Sequence, residues 1–224
     1  SKTKLGLCSS VNAASKKSTK DFIIYAHDDM YFLPKWDLIL KKEISKLKNN
    51  LFYLSGTMMG PKEHINFDCG DSYKNFDESK LLNNYTNYNL YDHQGTHWAP
   101  HVIHKDLWNK IDGLDENFDP GFGSDPDLNM RLWKEGVRYF KGINDCKVYH
   151  FGSISLRKKK NLITNNGARQ FLKKWGMSIF FFKKYYLRSM QVFDAPLSDP
   201  NKKLFYYFEL WICKAKLIFL FFQK

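Results

Sequence analysis

One stretch constrains the fold more than any other, Asp21 to Leu33, which reads DFIIYAHDDMYFL. Its apolar block, Phe22 to Ala26, is short and rich in β-branched and aromatic residues, which predicts a parallel strand buried on both faces. The block is followed at once by Asp28 and Asp29. Two adjacent carboxylates at the carboxyl end of such a strand lie where open α/β sheets bind ligands, and their mutual repulsion favours a bound cation.

The carboxylate pair therefore predicts a divalent metal ion that carries phosphate groups. Mg²⁺ and Mn²⁺ prefer oxygen ligands, and they take one or two protein carboxylates while phosphate oxygens and water fill the other positions. The alternative is that Asp28 and Asp29 only start a turn and cap the helix that follows. The pair by itself does not choose between these two interpretations.

The composition is that of a folded, basic protein. The chain has 224 residues, 43% hydrophobic and 17% aromatic, which is enough for one domain with a real core. Its net charge of +12 favours a polyanion, an acidic membrane surface or a phosphorylated substrate. Nucleic-acid binding is the chief alternative from another class, although the sequence has no RRM, KH or helix-turn-helix signature.

Cysteine usage and apolar runs bear on the compartment. The four cysteines are scattered without a CxxC pair, as expected of buried thiols in a reducing compartment. The first ten residues lack a signal-peptide core, and no stretch reaches 18 uninterrupted apolar residues, so we expect a cytoplasmic protein. The strongly apolar residues 204–224 could lie on the inner face of an anionic membrane, pack on the domain or form an oligomer contact.

Hydrophobic periodicity predicts alternating strands and helices, and hence an α/β domain over residues 1–160 with a basic, aromatic and helical extension over 161–224. A long surface excursion is expected over residues 60–95. The predicted elements are an amphipathic helix from Trp36, a strand at Leu51–Leu54, a helix from Lys105, a helix with Ser124 or Asp125 at its N-cap, and strands at Val137–Phe140 and Cys146–Tyr149.

Four motifs occur in an order that resembles the family 2 glycosyltransferases of GT-A fold. They are the strand, HDD and PxW series (Phe22 to Trp36), IDGLDENF (Ile111 to Phe118), GFGSDPDLNMRLW (Gly121 to Trp133) and VYHFGS (Val148 to Ser153). The resemblance covers about residues 5–180 and implies a Rossmann-like mixed sheet flanked by helices. It also implies transfer of a sugar from a nucleotide-diphosphate donor to a glycan or lipid-linked acceptor hydroxyl, with inversion, with Mn²⁺ or Mg²⁺ as cofactor and without a nucleic-acid partner.

The resemblance assigns roles to particular residues. Asp29 would ligate the metal, and Asp28 would contact the donor ribose or share the metal. Asp125 would be the base that deprotonates the acceptor; the family usually has Glu-Asp where this chain has Ser124-Asp125. A helix cap is the alternative role for Asp125, as it is for Asp127, which could pair with Arg131.

Further positions would complete the site. His150 resembles a histidine that reaches the metal or the diphosphate, the alternative being a structural histidine at a strand end. A cation such as His150 or Arg157 would stabilise the leaving group. His97, Trp98 and the turn ending at Gly123 would line the donor sugar and the acceptor side.

The resemblance also predicts an N-terminal truncation. The family's first strands, whose ends hold the nucleobase, have no counterpart in this sequence, which begins about 60 to 90 residues into the family pattern by the usual length of βα units. We therefore expect an exposed sheet edge, poor solubility and no nucleotide affinity for these residues alone. A catalytically inactive scaffold is a third interpretation.

Overall fold

The computed structural model describes residues 6–152 and 166–222. The strands of this part are β1 (Phe22–Tyr25), β2 (Met30–Phe32), β3 (Phe52–Gly60), β4 (Ile65–Asn66), β5 (His93–Gln94), β6 (His101–His104) and β7 (Tyr139–His150). The α-helices are α1 (Leu7–Ser15), α2 (Trp36–Ile44), α3 (Glu78–Asn84), α4 (Lys105–Lys110), α5 (Ser124–Lys134), α6 (Gly167–Trp175), α7 (Ile179–Phe182) and α8 (Leu204–Phe222).

The strands form one mixed, open sheet in the order β1-β6-β3-β7-β2, with β4 beside β3 and β5 beside β7. β3 and β7 run parallel, whereas β6 is antiparallel to both of its neighbours, β1 and β3. Helices pack on both faces of the sheet. The predicted α/β class and the mixed sheet flanked by helices are confirmed.

The first strand is not the strand that its composition predicts. β1 lies at one edge of the described sheet and is antiparallel to β6, so the prediction of a parallel strand buried on both faces is wrong. Ile23 and Tyr25 are buried, but the side chain of Ile24 is 45% exposed and borders an apolar groove of about 320 Å³ between β1 and α2. A run of apolar residues predicts a strand, but it does not show which faces of that strand are covered by other elements.

The two strands predicted at Val137–Phe140 and Cys146–Tyr149 belong to one strand, β7. Polar residues interrupt the apolar pattern between the two stretches, and the first of them, Lys141, is buried and ion-paired. Its Nζ lies 2.7 Å from a carboxylate oxygen of Glu43 in α2 and 2.8 Å from one of Asp92. The register of the β3–β7 pair shifts between Gly56 and Thr57, which accommodates the irregular centre of β7.

The core has two layers, one on each face of the sheet. On one face α2 covers Phe52, Leu54 and Val102. On the other face, a larger cluster joins sheet residues such as Tyr53 and Phe140 to α1, α4, α5 and the C-terminal helices. Residues of the C-terminal helices belong to this same cluster: Phe171, Leu172, Phe181, Phe182, Tyr206 and Cys213. The predicted domain boundary at residue 160 lies outside the described residues.

The predicted excursion over residues 60–95 contains β4, α3 and β5. It packs against the sheet through a separate small cluster, formed by Leu33, Met59, Ile65, Cys69, Leu81 and Tyr149. The hydroxyl of Tyr149 joins this excursion to β7, because it donates to the carbonyl of Gly70 (2.6 Å) and accepts from the amide of Cys69 (2.8 Å). Across the described parts of the chain, no helix combines the length and the apolar character needed to cross a membrane.

Candidate active site

The sheet brings the end of β1, the start of β2 and the end of β7 to one edge. After β1, residues 26–29 cross this end of the sheet and enter β2, which pairs with the last residues of β7. Met30 is therefore the partner of His150, and the carbonyl of Asp29 accepts a hydrogen bond from the amide of Phe151 (3.0 Å). This crossing places the predicted metal ligand beside the end of β7, although the two are far apart in sequence.

Three side chains form a group with the geometry of a metal site. Ligand atoms of His27, Asp29 and His150 all lie within 4.8 Å of one another. Nε2 of His150 is 3.4 Å from Oδ1 of Asp29, and the two imidazole rings are 5.9 Å apart between centroids. On its other side, Nδ1 of His150 lies 2.6 Å from a carboxylate oxygen of Glu63. A carboxylate on the far nitrogen is the usual way in which a metal-binding histidine is oriented.

The electrostatics of the group also suit a cation. Burial by itself would lower the pKa of His150, but the carboxylates of Asp29 and Glu63 outweigh burial and raise this pKa to about 9. Burial lowers the pKa of His27, which favours the neutral imidazole that binds metals. Nε2 of His150 is shielded from solvent and faces Oδ1 of Asp29 at 3.4 Å. A divalent ion bound between these two atoms would replace the proton of the imidazole, so these residues fit a divalent metal.

The sequence interpretation and the structure agree on part of this group. Asp29 and His150, both predicted to act at the metal, are brought together. Asp28, predicted to contact the donor ribose or to share the metal, is exposed and does not belong to the group of candidate metal ligands. The sequence interpretation missed His27 and Glu63. His27 could have been found because it directly precedes the aspartate pair, whereas nothing in the sequence distinguishes Glu63 within the long excursion.

The predicted base, Asp125, lies in the first turn of α5. Gly123 occupies the N-cap in the left-handed region (φ 87°), so the prediction of Ser124 or Asp125 at this position is wrong. Gly123 has no side chain with which to cap the helix. Oδ1 of Asp125 is shielded from solvent without a hydrogen-bond partner in the described structure. Burial raises the pKa of Asp125 to about 7. These features differ from those of a capping carboxylate, which is ionised and hydrogen-bonded.

One phenol connects Asp125 electrostatically with the metal group. The pKa of Tyr25, at the end of β1, is raised chiefly by burial and then by the charges of Asp125, Cys8, Asp29 and Asp28, in that order. The ring of Tyr25 also lies 5.4 Å from that of His27. The charges of Asp125, Asp28 and Asp29 thus all raise the pKa of the same buried phenol.

Asp127, two residues beyond Asp125, is a structural residue. Its fully buried carboxylate accepts hydrogen bonds from Nε of Arg131 (2.8 Å) and Nε1 of Trp175 (2.9 Å), and it forms an ion pair with Lys174 (2.7 Å). The predicted pairing with Arg131 is confirmed. Through Trp175 and Lys174, Asp127 ties α5 to α6.

The other residues predicted to line the site are Trp98, His97 and Gly123, and each has polar or packing contacts of its own. Trp98 is 8% exposed and donates its indole N–H to the carbonyl of Gly56 (2.8 Å). Nδ1 of His97 lies 3.2 Å from the hydroxyl of Ser189, and burial lowers the pKa of His97 to about 3. A Cβ on Gly123 would come within 2.9 Å of the backbone of Gly167, so glycine is needed there for close packing. Ser153 and Arg157 lie outside the described residues.

No protein-family model matches the sequence, and no curated protein matches it significantly. The family resemblance therefore depends on the four motifs and their order.

Proposed function

We propose that the chain is a metal-dependent glycosyltransferase of GT-A fold and family 2 type, which moves a sugar from a nucleotide-diphosphate donor to a hydroxyl of a glycan or lipid-linked acceptor. One observation carries the proposal: His27, Asp29 and His150 meet where β1 and β7 end, with ligand atoms within 4.8 Å of one another. The charges of Asp125 and Asp29 both raise the pKa of Tyr25. The carboxyl ends of strands are where open α/β sheets bind their ligands.

In this proposal His27, Asp29 and His150 hold the divalent ion, and Glu63 orients His150 through its other nitrogen. Two imidazoles beside one carboxylate favour Mn²⁺ over Mg²⁺, because Mg²⁺ prefers oxygen ligands more strictly. When bound, the ion supplies the positive charge that stabilises a departing diphosphate.

Asp125 takes the proton of the acceptor hydroxyl while that oxygen attacks the anomeric carbon. The bond from this carbon to the diphosphate oxygen breaks, and its electron pair leaves with the diphosphate. A pKa of about 7 lets Asp125 accept a proton near neutral pH. A single base opposite a leaving group implies one displacement, and hence inversion at the anomeric carbon.

A titration of the chain with Mn²⁺, followed by electron paramagnetic resonance of the free ion, tests the metal site. We expect Asp29→Asn and His150→Gln each to weaken Mn²⁺ binding about tenfold or more, because each removes a ligand. Asp28→Asn is the matched control, since its exposed side chain lies outside the group, and its binding should stay within about twofold of the original. Equal losses in Asp28→Asn and Asp29→Asn would contradict the assignment of ligands.

The transfer reaction is tested in the polypeptide that the gene encodes, by measuring the nucleoside diphosphate released from a panel of nucleotide sugars with Mn²⁺. Asp125→Asn should lower this release about 100-fold or more, as the loss of a general base does, and should leave Mn²⁺ binding intact. Retention of the anomeric configuration in the product would refute the single displacement. Salt-sensitive RNA binding that Asp29→Asn does not change would favour the nucleic-acid alternative, and Mn²⁺ binding without release would favour an inactive scaffold.

A further inference from the structure

The last helix, α8, is apolar on two opposite faces. One face packs on the protein: Tyr206 and Cys213 are only 4% and 5% exposed, and Leu210, Leu217 and Leu220 pack against the same core. The ring of Tyr206 contacts that of Phe181 in α7 at 5.0 Å between centroids. Five apolar residues of the helix lie on this face.

The opposite face is apolar as well, and nothing in the described structure covers it. Seven large side chains there are more than half exposed: Leu204, Phe205, Tyr207, Phe208, Trp211, Ile218 and Phe219. Trp211 is 65% exposed and Phe219 69% exposed. Since each such side chain has an area of roughly 150 to 250 Å², they expose on the order of 800 Å² together. A single apolar patch on a typical monomer is smaller than this, so the face indicates a binding surface.

Basic residues border this outward face on both sides. At 100° per residue, Lys214 and Lys216 lie about 80° to either side of the buried direction marked by Tyr206. Both are exposed, as are Lys202 and Lys203 just before the helix. The acidic residue of the helix, Glu209, is paired with Lys184. The charge at the border of the apolar face is therefore positive.

We propose that α8 lies flat on an anionic membrane surface, with its outward face among the acyl chains and its flanking lysines at the lipid phosphates. Aromatic residues with lysines at the edge of an apolar face are typical of helices that bind in the plane of a membrane interface. Residues 166–222 contain ten Lys and Arg against three Asp and Glu, so the whole C-terminal region is complementary in charge to anionic lipid. This inference is independent of the proposed enzymatic function.

Flotation of the chain with lipid vesicles tests the proposal. Vesicles of phosphatidylcholine with about 30% phosphatidylglycerol should bind the chain at least about tenfold more tightly than vesicles of phosphatidylcholine alone. The double variant Phe208→Ser, Trp211→Ser should lose binding, and Lys214→Gln, Lys216→Gln should weaken it roughly tenfold. The control is Tyr73→Ser, which removes a 77% exposed aromatic ring from the excursion and should not change binding.

A second measurement does not depend on disruptive variants. Brominated acyl chains should quench part of the tryptophan fluorescence, and the conservative Trp211→Phe should remove that quenched part while the chain still binds. Absence of binding to anionic vesicles, or binding that Phe208→Ser, Trp211→Ser leaves unchanged, would overturn the proposal. A concentration-dependent dimer that the same double variant abolishes, without vesicle binding, would also overturn it, because a second copy would then cover the face.

Discussion

Replacing Asp125 by Asn should make the protein more stable, and the gain should grow with pH. Asp125 presents a shielded oxygen without a hydrogen-bond partner in the described structure, and burial raises its pKa from 3.8 to about 7. Because the folded state binds this proton more tightly than the unfolded state, protonation of Asp125 favours folding. This contribution to stability is fully present below about pH 4. That contribution is lost as the pH rises through about 7. The neutral amide of the Asp125→Asn variant does not titrate and avoids this loss.

The size of the effect follows from the pKa shift. One pKa unit corresponds to about 1.4 kcal/mol, so a rise of about three units sets an upper limit of about 4 kcal/mol on the ionisation penalty of Asp125. By linkage, the penalty is about 2 kcal/mol at pH 5 and about 4 kcal/mol at pH 8. The difference in free energy of unfolding between Asp125→Asn and the original should therefore increase by about 2 kcal/mol over this range.

Urea unfolding followed by circular dichroism at pH 5, 6, 7 and 8 measures this difference, and comparison at each pH cancels the titration of the other groups. Asp37→Asn is the matched control, because Asp37 occupies the first turn of α2 but is exposed. We expect its effect to stay below about 0.5 kcal/mol, as for exposed charges near helix N-termini. A loss of stability in Asp125→Asn that is the same at every pH would refute the reasoning and would make Asp125 a structural residue.

Three further predictions concern stability. Glu43 is buried; burial alone would raise its pKa, but hydrogen bonds from Lys141, Lys46 and Tyr139 lower this pKa to about 2. As the pH falls from about 4.5 to 2, the free energy of unfolding of the original protein should therefore drop by about 2 kcal/mol more than that of Glu43→Gln, as measured by urea unfolding. Asp127→Ala leaves the donors of Arg131 and Lys174 without their buried carboxylate acceptor, and it should lower the free energy of unfolding by about 3 to 5 kcal/mol. We expect a large drop in melting temperature. Asp119→Asn weakens the acceptor of the first amides of α1 and should cost about 1 kcal/mol, with faster hydrogen exchange of those amides.

The sequence alone determined the features that depend on neighbouring residues. Apolar periodicity predicted α2 and α5, and the i,i+4 spacing predicted the Asp127–Arg131 pair. The carboxylate pair after β1 indicated Asp29 as a candidate metal ligand, and the family resemblance indicated His150 as another; the structure brings the two together. Such features are local, and helix geometry converts spacing directly into contact.

Only the tertiary structure decided how these residues act together. β1 is an antiparallel edge strand because of the strand that pairs with it, and composition does not encode that partner. Glu63 reaches His150 across 87 positions of sequence, and His27 joins them only because the chain crosses the sheet after β1. The raised pKa of Asp125 likewise depends on what surrounds it in space. Desolvation and ligand geometry arise from contacts between distant segments, so only the folded chain defines them.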